Sequence, residues 1–199
     1  MLVVTTRKGK PNVMTVSWTM CMGFEPTVGV MLGPWNYSYQ SLMEARECVL
    51  AIPGADLMET VVDIGNCSGE SVDKFKRFAL TTVPAAKVKP PLISECFANI
   101  ECRVVESPSG SRPLFVLEGV KAWRNPARGE QRAFHAKGDG TFIIDGEHVD
   151  LRPVAAHGDD ALGPAAVPEH EVAAGTGREK SGRSGHGQRR WPHGSDVDW

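Results

Sequence analysis

Short alternating runs of hydrophobic and polar residues recur along most of the chain, a pattern typical of β-strands. Residues 2–6 and 12–20 follow it, and the polar segment 7–11 between them predicts a hairpin. Residues 98–106 alternate most regularly, which gives one apolar face and one face that carries Asn99 and Glu101. Further strands are predicted over residues 28–32, 48–52, 114–123 and 141–144.

Helical spacing is confined to a few short segments. Apolar residues three and four apart predict a helix over residues 39–46, with Ser38 as its N-cap. A second helix is expected to start at Asp56, because Glu59 follows three residues later in a capping-box arrangement. A shorter helix is expected over residues 71–77.

This order of elements predicts a mainly β protein with short helices. The three prolines within residues 83–91 mark an extended connector. Many short strands with antiparallel-style connections favour a small closed or half-open barrel over an alternating βαβ sheet. The sequence lacks both a strand-to-helix G-x-G-x-x-G unit and a G-x-x-x-x-G-K-[ST] loop, which argues against a Rossmann or P-loop nucleotide site.

Composition narrows the classes of function. The chain has 199 residues, 41% of them hydrophobic, which is enough for one ordinary globular core. Its net charge of -2 offers no basis for binding nucleic acid or an anionic membrane through bulk electrostatics. No run reaches the roughly 20 apolar residues of a membrane span, and the first residues are too polar for a signal peptide. A cytoplasmic protein is therefore expected.

The cysteines predict no special chemistry. An odd number of them, with no C-x-x-C pair, argues against a disulfide framework, and their spacing fits no zinc knuckle. Free and mostly buried thiols, and no metal site, are therefore expected. The five are Cys21, Cys48, Cys67, Cys96 and Cys102.

The composition changes after about Pro153. Residues 175–190 contain no large apolar side chain, so they cannot bury enough surface to offset the entropy of ordering. We therefore expect one domain over residues 1–153 and a disordered, low-complexity tail over residues 154–199. A nucleic-acid-binding arm over the arginine-rich stretch 178–190 is the alternative, against which interleaved and following acidic residues count.

The first candidate for chemistry is the predicted strand 12–20. Strand parity places Asn12 and Trp18 on a mostly apolar face, and Ser17 and Thr19 on a face of hydroxyls. A plain core strand rarely carries so many polar residues side by side. A half-exposed strand with its hydroxyls in solvent is the alternative for this segment taken alone.

The second candidate is the loop over residues 33–39. Its Gly-Pro start bends the chain, Trp35 and Tyr37 supply flat aromatic surface, and Ser38 lies beside an expected helix start. A phosphate there would receive backbone N–H groups and the Ser38 hydroxyl, aided by the positive end of the helix dipole. A simple helix cap, with the aromatic rings packed on the barrel, is the alternative.

The third candidate is the segment 66–75, a Ser/Gly-rich turn that leads into a short helix. It presents Lys74 and Phe75, which would offer a cation to a phosphate and a ring edge to a planar ligand. A lysine on its own is usually solvated, and that is the alternative here.

These three segments, in this order and spacing, resemble the flavin reductase-like, FMN-binding split-barrel proteins, in particular the flavoredoxin branch. The most specific matches are residues 68–75 and 91–104. The resemblance covers about residues 1–150. It rests on segments 3–6, 12–19, 33–39, 68–75, 87–93, 98–104, 114–118 and 138–142.

The resemblance implies a six-stranded Greek-key split β-barrel that forms a homodimer, with FMN held non-covalently near the subunit interface. It places Asn12 and Trp18 at the flavin ring, and Ser38 with its loop at the phosphate. His135 is the single candidate for a catalytic role, as a proton donor near the flavin, although an isolated histidine is more often structural. The cofactor-binding residues it implies are Asn12, Ser17, Trp18, Thr19, Trp35, Asn36, Ser38, Tyr39, Ser68, Lys74, Phe75 and Phe142.

The function implied by the resemblance is hydride or electron transfer through FMN, with NAD(P)H as the expected co-substrate. The acceptor would be a small molecule or another protein. One alternative is a non-catalytic FMN-binding electron carrier that a partner protein reduces, and a more distant one is a split barrel with another planar cofactor such as haem. The sequence does not separate the first two, because this fold would hold NAD(P)H over the flavin without a Rossmann fingerprint.

Overall fold

The computed structural model describes residues 1–109 and 112–151 of the chain. Its helices are α1 (Tyr37–Ala45), α2 (Met58–Gly65), which follows a 3-10 helix at Ala55–Leu57, and α3 (Lys74–Arg77). Its strands are β1 (Leu2–Arg7), β2 (Lys10–Thr15), β3 (Thr19–Cys21), β4 (Thr27–Met31), β5 (Glu47–Ile52), β6 (Thr82–Val83), β7 (Leu92–Ile93), β8 (Ala98–Glu106), β9 (Leu114–Arg124), β10 (Phe134–Ala136) and β11 (Phe142–Ile144).

Seven of the strands form one antiparallel sheet in the order β2-β1-β5-β8-β9-β4-β3, and two small hairpins pair β6 with β7 and β10 with β11. The predicted mainly β fold with short helices is confirmed. The expected number of six strands is corrected to seven in the main sheet. The extra strand arises because the predicted strand 12–20 breaks at residues 16–18 into β2 and β3.

The predicted hairpin at the start of the chain is confirmed. β1 pairs with β2 from Leu2 opposite Thr15 to Arg7 opposite Lys10. The two residues of its turn both have positive φ, 49° at Lys8 and 76° at Gly9. Two consecutive residues of this kind match the right-handed twist of the flanking strands, which is why such turns close tight hairpins.

The sheet is curled, because β2 and β3 are its outermost strands and yet only residues 16–18 separate them. Val16 donates its N–H to the carbonyl of Met1 at 3.0 Å, which extends the pairing of β2 with β1. Met31 donates to the carbonyl of Trp18 at 3.1 Å, which extends the pairing of β3 with β4. The short link is thus bonded to both edges of the sheet and closes a half-barrel.

One apolar cluster fills the inside of the curled sheet. Val3 of β1, Val30 of β4 and Phe115 of β9 belong to it, although three strands lie between β1 and β4 in the sheet. Helix α1 adds Leu42, and the ring of Tyr39 meets Phe115 edge to face with centroids 5.4 Å apart. The inner face of the sheet therefore holds α1 in place.

A second apolar cluster covers the outer face of β1, β2 and β5. Leu2, Val4 and Val13 supply its strand side, and Val61 and Ile64 of α2 pack on them. The hydroxyl of Thr15 also donates to the carbonyl of Val61 at 2.5 Å. Helix α2 is thereby fixed against the edge strand β2.

Asn99 and Glu101, which the alternation places on the second face of β8, are both buried. The Asn99 carboxamide accepts the N–H of Ile93 at 2.9 Å and donates to its carbonyl at 3.1 Å. Glu101 is fully buried, and its carboxylate accepts the N–H groups of residues 86–88 and the indole N–H of Trp123. The connector between β6 and β7, which lacks helix and strand as predicted, is held by this carboxylate.

Two predicted helix caps are wrong. Asn36, not Ser38, occupies the N-cap position of α1, and Ser38 is the second residue of the helix. Asp56 does not start a helix with Glu59 in a capping box, because it lies within the 3-10 helix and its carboxylate pairs with Arg128. In both places the side chain that the local pattern assigned to the helix end instead contacts a residue of another segment.

Residues 1–145 lie in one compact unit, and residues 146–151, which belong to a second, contain neither helix nor strand. The predicted tail over residues 154–199 lies outside the described residues. Within the described ranges, no helix is long and apolar enough to cross a membrane. The prediction of free cysteines is confirmed for all five, three of which are buried.

Glu101→Ala should lower the free energy of unfolding by about 3–5 kcal/mol, because several backbone N–H groups and an indole N–H would lose their charged acceptor. Urea unfolding followed by circular dichroism measures the change. Glu95→Ala is the matched control, since Glu95 accepts one N–H, that of Thr81, near the surface. Equal losses in the two variants would show that Glu101 does not hold the connector.

Candidate functional site

A cavity of about 270 Å³ lies where β2, the start of α1 and the end of α2 meet. All three segments singled out from the sequence contribute to its wall. A second cavity of about 740 Å³ adjoins it and shares Asn12, Tyr37 and Gly69. The first cavity is lined by Asn12, Met14, Thr15, Trp35, Asn36, Tyr37, Ser38, Ile64, Gly65, Asn66, Cys67, Ser68, Gly69 and Lys74.

Asn12 joins strand β2 to helix α1. Its side chain is buried, and Nδ2 donates to the equally buried Oγ of Ser38 at 2.9 Å. Gly69 approaches the other end of the carboxamide so closely that a Cβ at this position would clash with Oδ1. Glycine is therefore needed at residue 69, and three separate segments converge on one carboxamide.

The N-terminus of α1 opens on the cavity without a side-chain cap. Asn36 makes no capping bond, because its Oδ1 accepts the N–H of Gly33 at 2.8 Å instead. The first N–H groups of an α-helix have no acceptor within the helix, and they carry partial positive charge. Here they belong to Tyr37 and Ser38, which line the cavity. This arrangement favours an anion.

Lys74 brings a buried cation to the same cavity. Its side chain is 4% exposed, and Nζ donates to the carbonyl of Ile64 at 2.8 Å, in the last turn of α2. Burial lowers the pKa of Lys74 from its ordinary value, and the nearby Cys67 acts in the opposite direction. An ammonium group has three donors, so the bond to Ile64 leaves two for a ligand.

Trp35 and Ser68 complete the predicted residues at this cavity. The Trp35 indole is 79% exposed and lies so close to Gly33 that a Cβ on that glycine would clash with the ring. The Ser68 hydroxyl accepts the N–H of Glu70 at 3.2 Å and shapes the turn before α3. Phe75, the neighbour of Lys74, lines the second cavity instead.

Four other predicted residues do not line the first cavity, three of them because of the break after β2. Ser17, Trp18 and Thr19 follow the end of β2 in the closing link and in β3, and Trp18 is 70% exposed. Tyr39 points into the barrel interior, where its ring packs on Phe115. These four do not line either cavity.

The remaining two predicted residues lie on the β10–β11 hairpin. Nε2 of His135 is 2.9 Å from a carboxylate oxygen of Asp145, and both side chains are largely exposed. Phe142 packs edge to face on Phe134 with centroids 6.0 Å apart. Neither His135 nor Phe142 lines the two cavities of this unit.

Several cavity residues were missed in the sequence. Tyr37 was expected to supply aromatic surface but was not among the predicted cofactor-binding residues. Gly69 lay inside a recognised segment, but nothing in the pattern marked it as a wall residue. Asn66 and Cys67 lay inside the recognised segment 66–75, and that membership was the available signal. No sequence signal could have identified the carbonyl of Ile64 as part of the site, because every residue has a backbone carbonyl. Within the described part of the chain, no group of three or more His, Cys, Asp or Glu side chains could hold a metal ion.

The geometry defines a class of protein: a split barrel with a cavity whose wall favours an anion. A sequence profile for the "Flavin reductase like domain" matches residues 1–141. The chain therefore belongs to the flavin reductase-like family, and the resemblance seen in the sequence is confirmed. Solved structures with a similar fold include FMN-binding proteins of Shewanella baltica OS155 and Thermus thermophilus.

Individual relatives extend this picture. An uncharacterized protein of Archaeoglobus fulgidus is 42% identical over 111 residues, which are 55% of this chain and 63% of that protein. The chain thus spans less than two thirds of that relative's length. The flavoredoxin of Desulfovibrio vulgaris (Miyazaki F) has a similar fold, with a TM-score of 0.70, 24% identity, and coverage of 78% of this chain and 90% of its own. An NADH:FAD oxidoreductase of Streptomyces globisporus C-1027 gives a TM-score of 0.61 at 22% identity, with coverage of 73% and 85%.

Lys74→Ala should weaken FMN binding by about 1–3 kcal/mol and leave riboflavin binding unchanged, because only the phosphate would meet the ammonium group. In the unaltered protein, FMN affinity should fall as the pH rises through the lowered pKa of Lys74, below the ordinary value of 10.5. Deprotonation removes the positive charge, so the variant should lose this pH dependence. Calorimetric titration with both flavins measures each effect.

Lys76→Ala is the matched control for this experiment. Lys76 lies two residues further along, is largely exposed, and its Nζ lies 3.5 Å from the carboxylate of Asp73. Its removal should change FMN affinity little. Equal effects of the two substitutions would contradict the placement of the phosphate beside Lys74.

Proposed function

We propose that this protein is an FMN-dependent oxidoreductase of the flavin reductase or flavoredoxin type. It would transfer hydride or electrons through non-covalently bound FMN, with NAD(P)H as the donor. The observation that carries the proposal is the meeting of buried Lys74 with the uncapped start of α1 on one cavity wall. FMN, when bound, supplies the redox chemistry, and the protein positions the cofactor and tunes its potential.

The residues present fit the phosphate end of the cofactor. Lys74 retains two N–H donors, Ser38 retains its hydroxyl hydrogen, and the first turn of α1 offers backbone N–H groups. These donors are fixed by neighbouring groups before any ligand arrives, so little ordering is required on binding. The chain would thus bind and orient the cofactor, while Trp35 at the rim offers aromatic surface to its planar part.

The main alternative is an FMN-binding carrier that a partner protein reduces. The two functions differ in the donor of the electrons. The fold shared with an NADH:FAD oxidoreductase supports a pyridine nucleotide as donor. The fold shared with flavoredoxins is consistent with either role. Direct reduction by NADH or NADPH therefore decides between the two.

The purified protein should be yellow or should become so with added FMN, and NADH or NADPH added without oxygen should bleach it. Absorbance spectra in the visible range record both steps. A yellow protein that stays oxidised with either nucleotide would support the carrier instead. A colourless protein that does not bind added FMN would contradict both functions.

We further propose that the protein acts as a homodimer, with a second copy of the chain covering the region around β3. This edge strand, the link before it and the loop after it expose Trp18, Met20, Met22 and Phe24, of which Phe24 is 97% exposed. Monomers rarely leave an apolar patch of this kind beside an unpaired strand edge. A second copy is the occupant that the family resemblance implies, with FMN near the interface.

Phe24→Ser should weaken the dimer, because it removes the most exposed apolar side chain of the patch. Sedimentation equilibrium measures the association constant, and the flavin content should fall with it if FMN lies near the interface. Ile143→Ser, at an exposed position on β11, is the matched control and should leave association intact. An unaltered protein that sediments as a monomer at every concentration would refute the dimer.

A further inference from the structure

The hydrogen bond between Asn12 and Ser38 has a direction that constrains the serine. An amide nitrogen donates and does not accept, so Nδ2 of Asn12 gives a hydrogen to Oγ of Ser38, 2.9 Å away. The hydroxyl of Ser38 acts as the acceptor in this bond. Its own hydrogen therefore remains to be given to another group, and Ser38 lines the cavity.

The carboxamide of Asn12 has little freedom to leave this arrangement. Asn12 lies opposite Thr5 in the pairing of β2 with β1, and its side chain is buried. Gly69 closes the Oδ1 end so tightly that no Cβ fits there. The direction of the hydrogen bond to Ser38 is thus set by the fold rather than by solvent.

We propose that Asn12 is a positioning residue for the cofactor phosphate. It occupies a lone pair of Ser38 and thereby turns the Ser38 hydroxyl hydrogen toward the anion in the cavity. This role differs from the contact with the flavin ring expected from the sequence, because Asn12 acts through Ser38. The inference rests on the proposed function, in which the cavity holds a flavin phosphate.

Without the donor at Asn12, the Ser38 hydroxyl can turn to other acceptors. A serine hydroxyl readily donates to a nearby backbone carbonyl. The phosphate then loses an oriented donor, while the flavin ring loses nothing. Riboflavin carries the same ring without the phosphate, so the ratio of FMN to riboflavin affinity isolates the effect.

The test is a double-mutant cycle of Asn12→Ala and Ser38→Ala, with dissociation constants for FMN and riboflavin from quenching of flavin fluorescence. Each single variant should weaken FMN binding about tenfold, as expected for a hydrogen bond to a charged group. The double variant should be no more than about twofold worse than either single one, because both remove the same donor. Riboflavin affinity should stay within about twofold throughout.

Alanine leaves an empty space that could itself weaken FMN binding. Two aspartate variants, close in size to asparagine, test for that effect. In Asn12→Asp, the Ser38 hydroxyl would donate to the new carboxylate and turn away from the phosphate. Asn66→Asp adds the same charge to the same cavity and is the matched control for repulsion alone. The ratio of FMN to riboflavin affinity should fall further in Asn12→Asp than in Asn66→Asp, with thermal melting curves confirming that both are folded.

Several results would overturn the inference. Equal weakening of FMN and riboflavin by Asn12→Ala would show that Asn12 contacts the ring directly. Losses that multiply in the double variant would show that Asn12 acts independently of Ser38. Equal effects of the two aspartate variants would show that the loss in Asn12→Asp comes from charge repulsion alone, and that the direction of the Ser38 hydroxyl does not matter. In these cases the unaltered protein still binds FMN, so the proposed function stands. An unaltered protein that binds neither flavin would remove both.

Discussion

The structure depends on one constraint, the three-residue link between Thr15 and Thr19. Its ends belong to the two outermost strands of a seven-stranded sheet, which would stand about 29 Å apart if the sheet were flat. Four residue steps reach about 14 Å at most, so the sheet must curl. Curling brings the apolar side chains of β1, β4 and β9 together, and their burial provides the inner core.

The cavity arises where this curled sheet meets the two helices. Helix α1 is anchored inside the barrel by Leu42, which sets its uncapped N-terminus beside β2, so that Ser38 meets Asn12. Helix α2 is anchored on the outside of the same strand, and its last turn offers the carbonyl of Ile64 to Lys74. The polar groups of the cavity wall therefore come from both sides of one edge strand, and each side is held by a different apolar cluster.

The parts of the fold that local sequence predicts are those that local interactions decide. Period-two alternation located β8 residue for residue, because each side chain's face follows from backbone geometry alone. The same reasoning predicted one strand over residues 12–20. The alternation continues through residues 16–18, although the chain passes there from one edge of the sheet to the other. Helix caps failed similarly at Ser38 and Asp56, because competing partners such as Arg128 are distant in sequence.

The sequence by itself determined the mainly β class, the short helices, the family and three segments that carry the cavity, because periodicity and motifs are local. Only the tertiary structure decided which side chains in those segments meet. Asn12, Ser38 and Lys74 share one wall, whereas Trp18 and Tyr39, from the same motifs, do not. The physical reason is that local sequence patterns do not specify partners many residues away. The lowered pKa of Lys74 and the direction of the Asn12 hydrogen bond both arise from burial and from such distant partners.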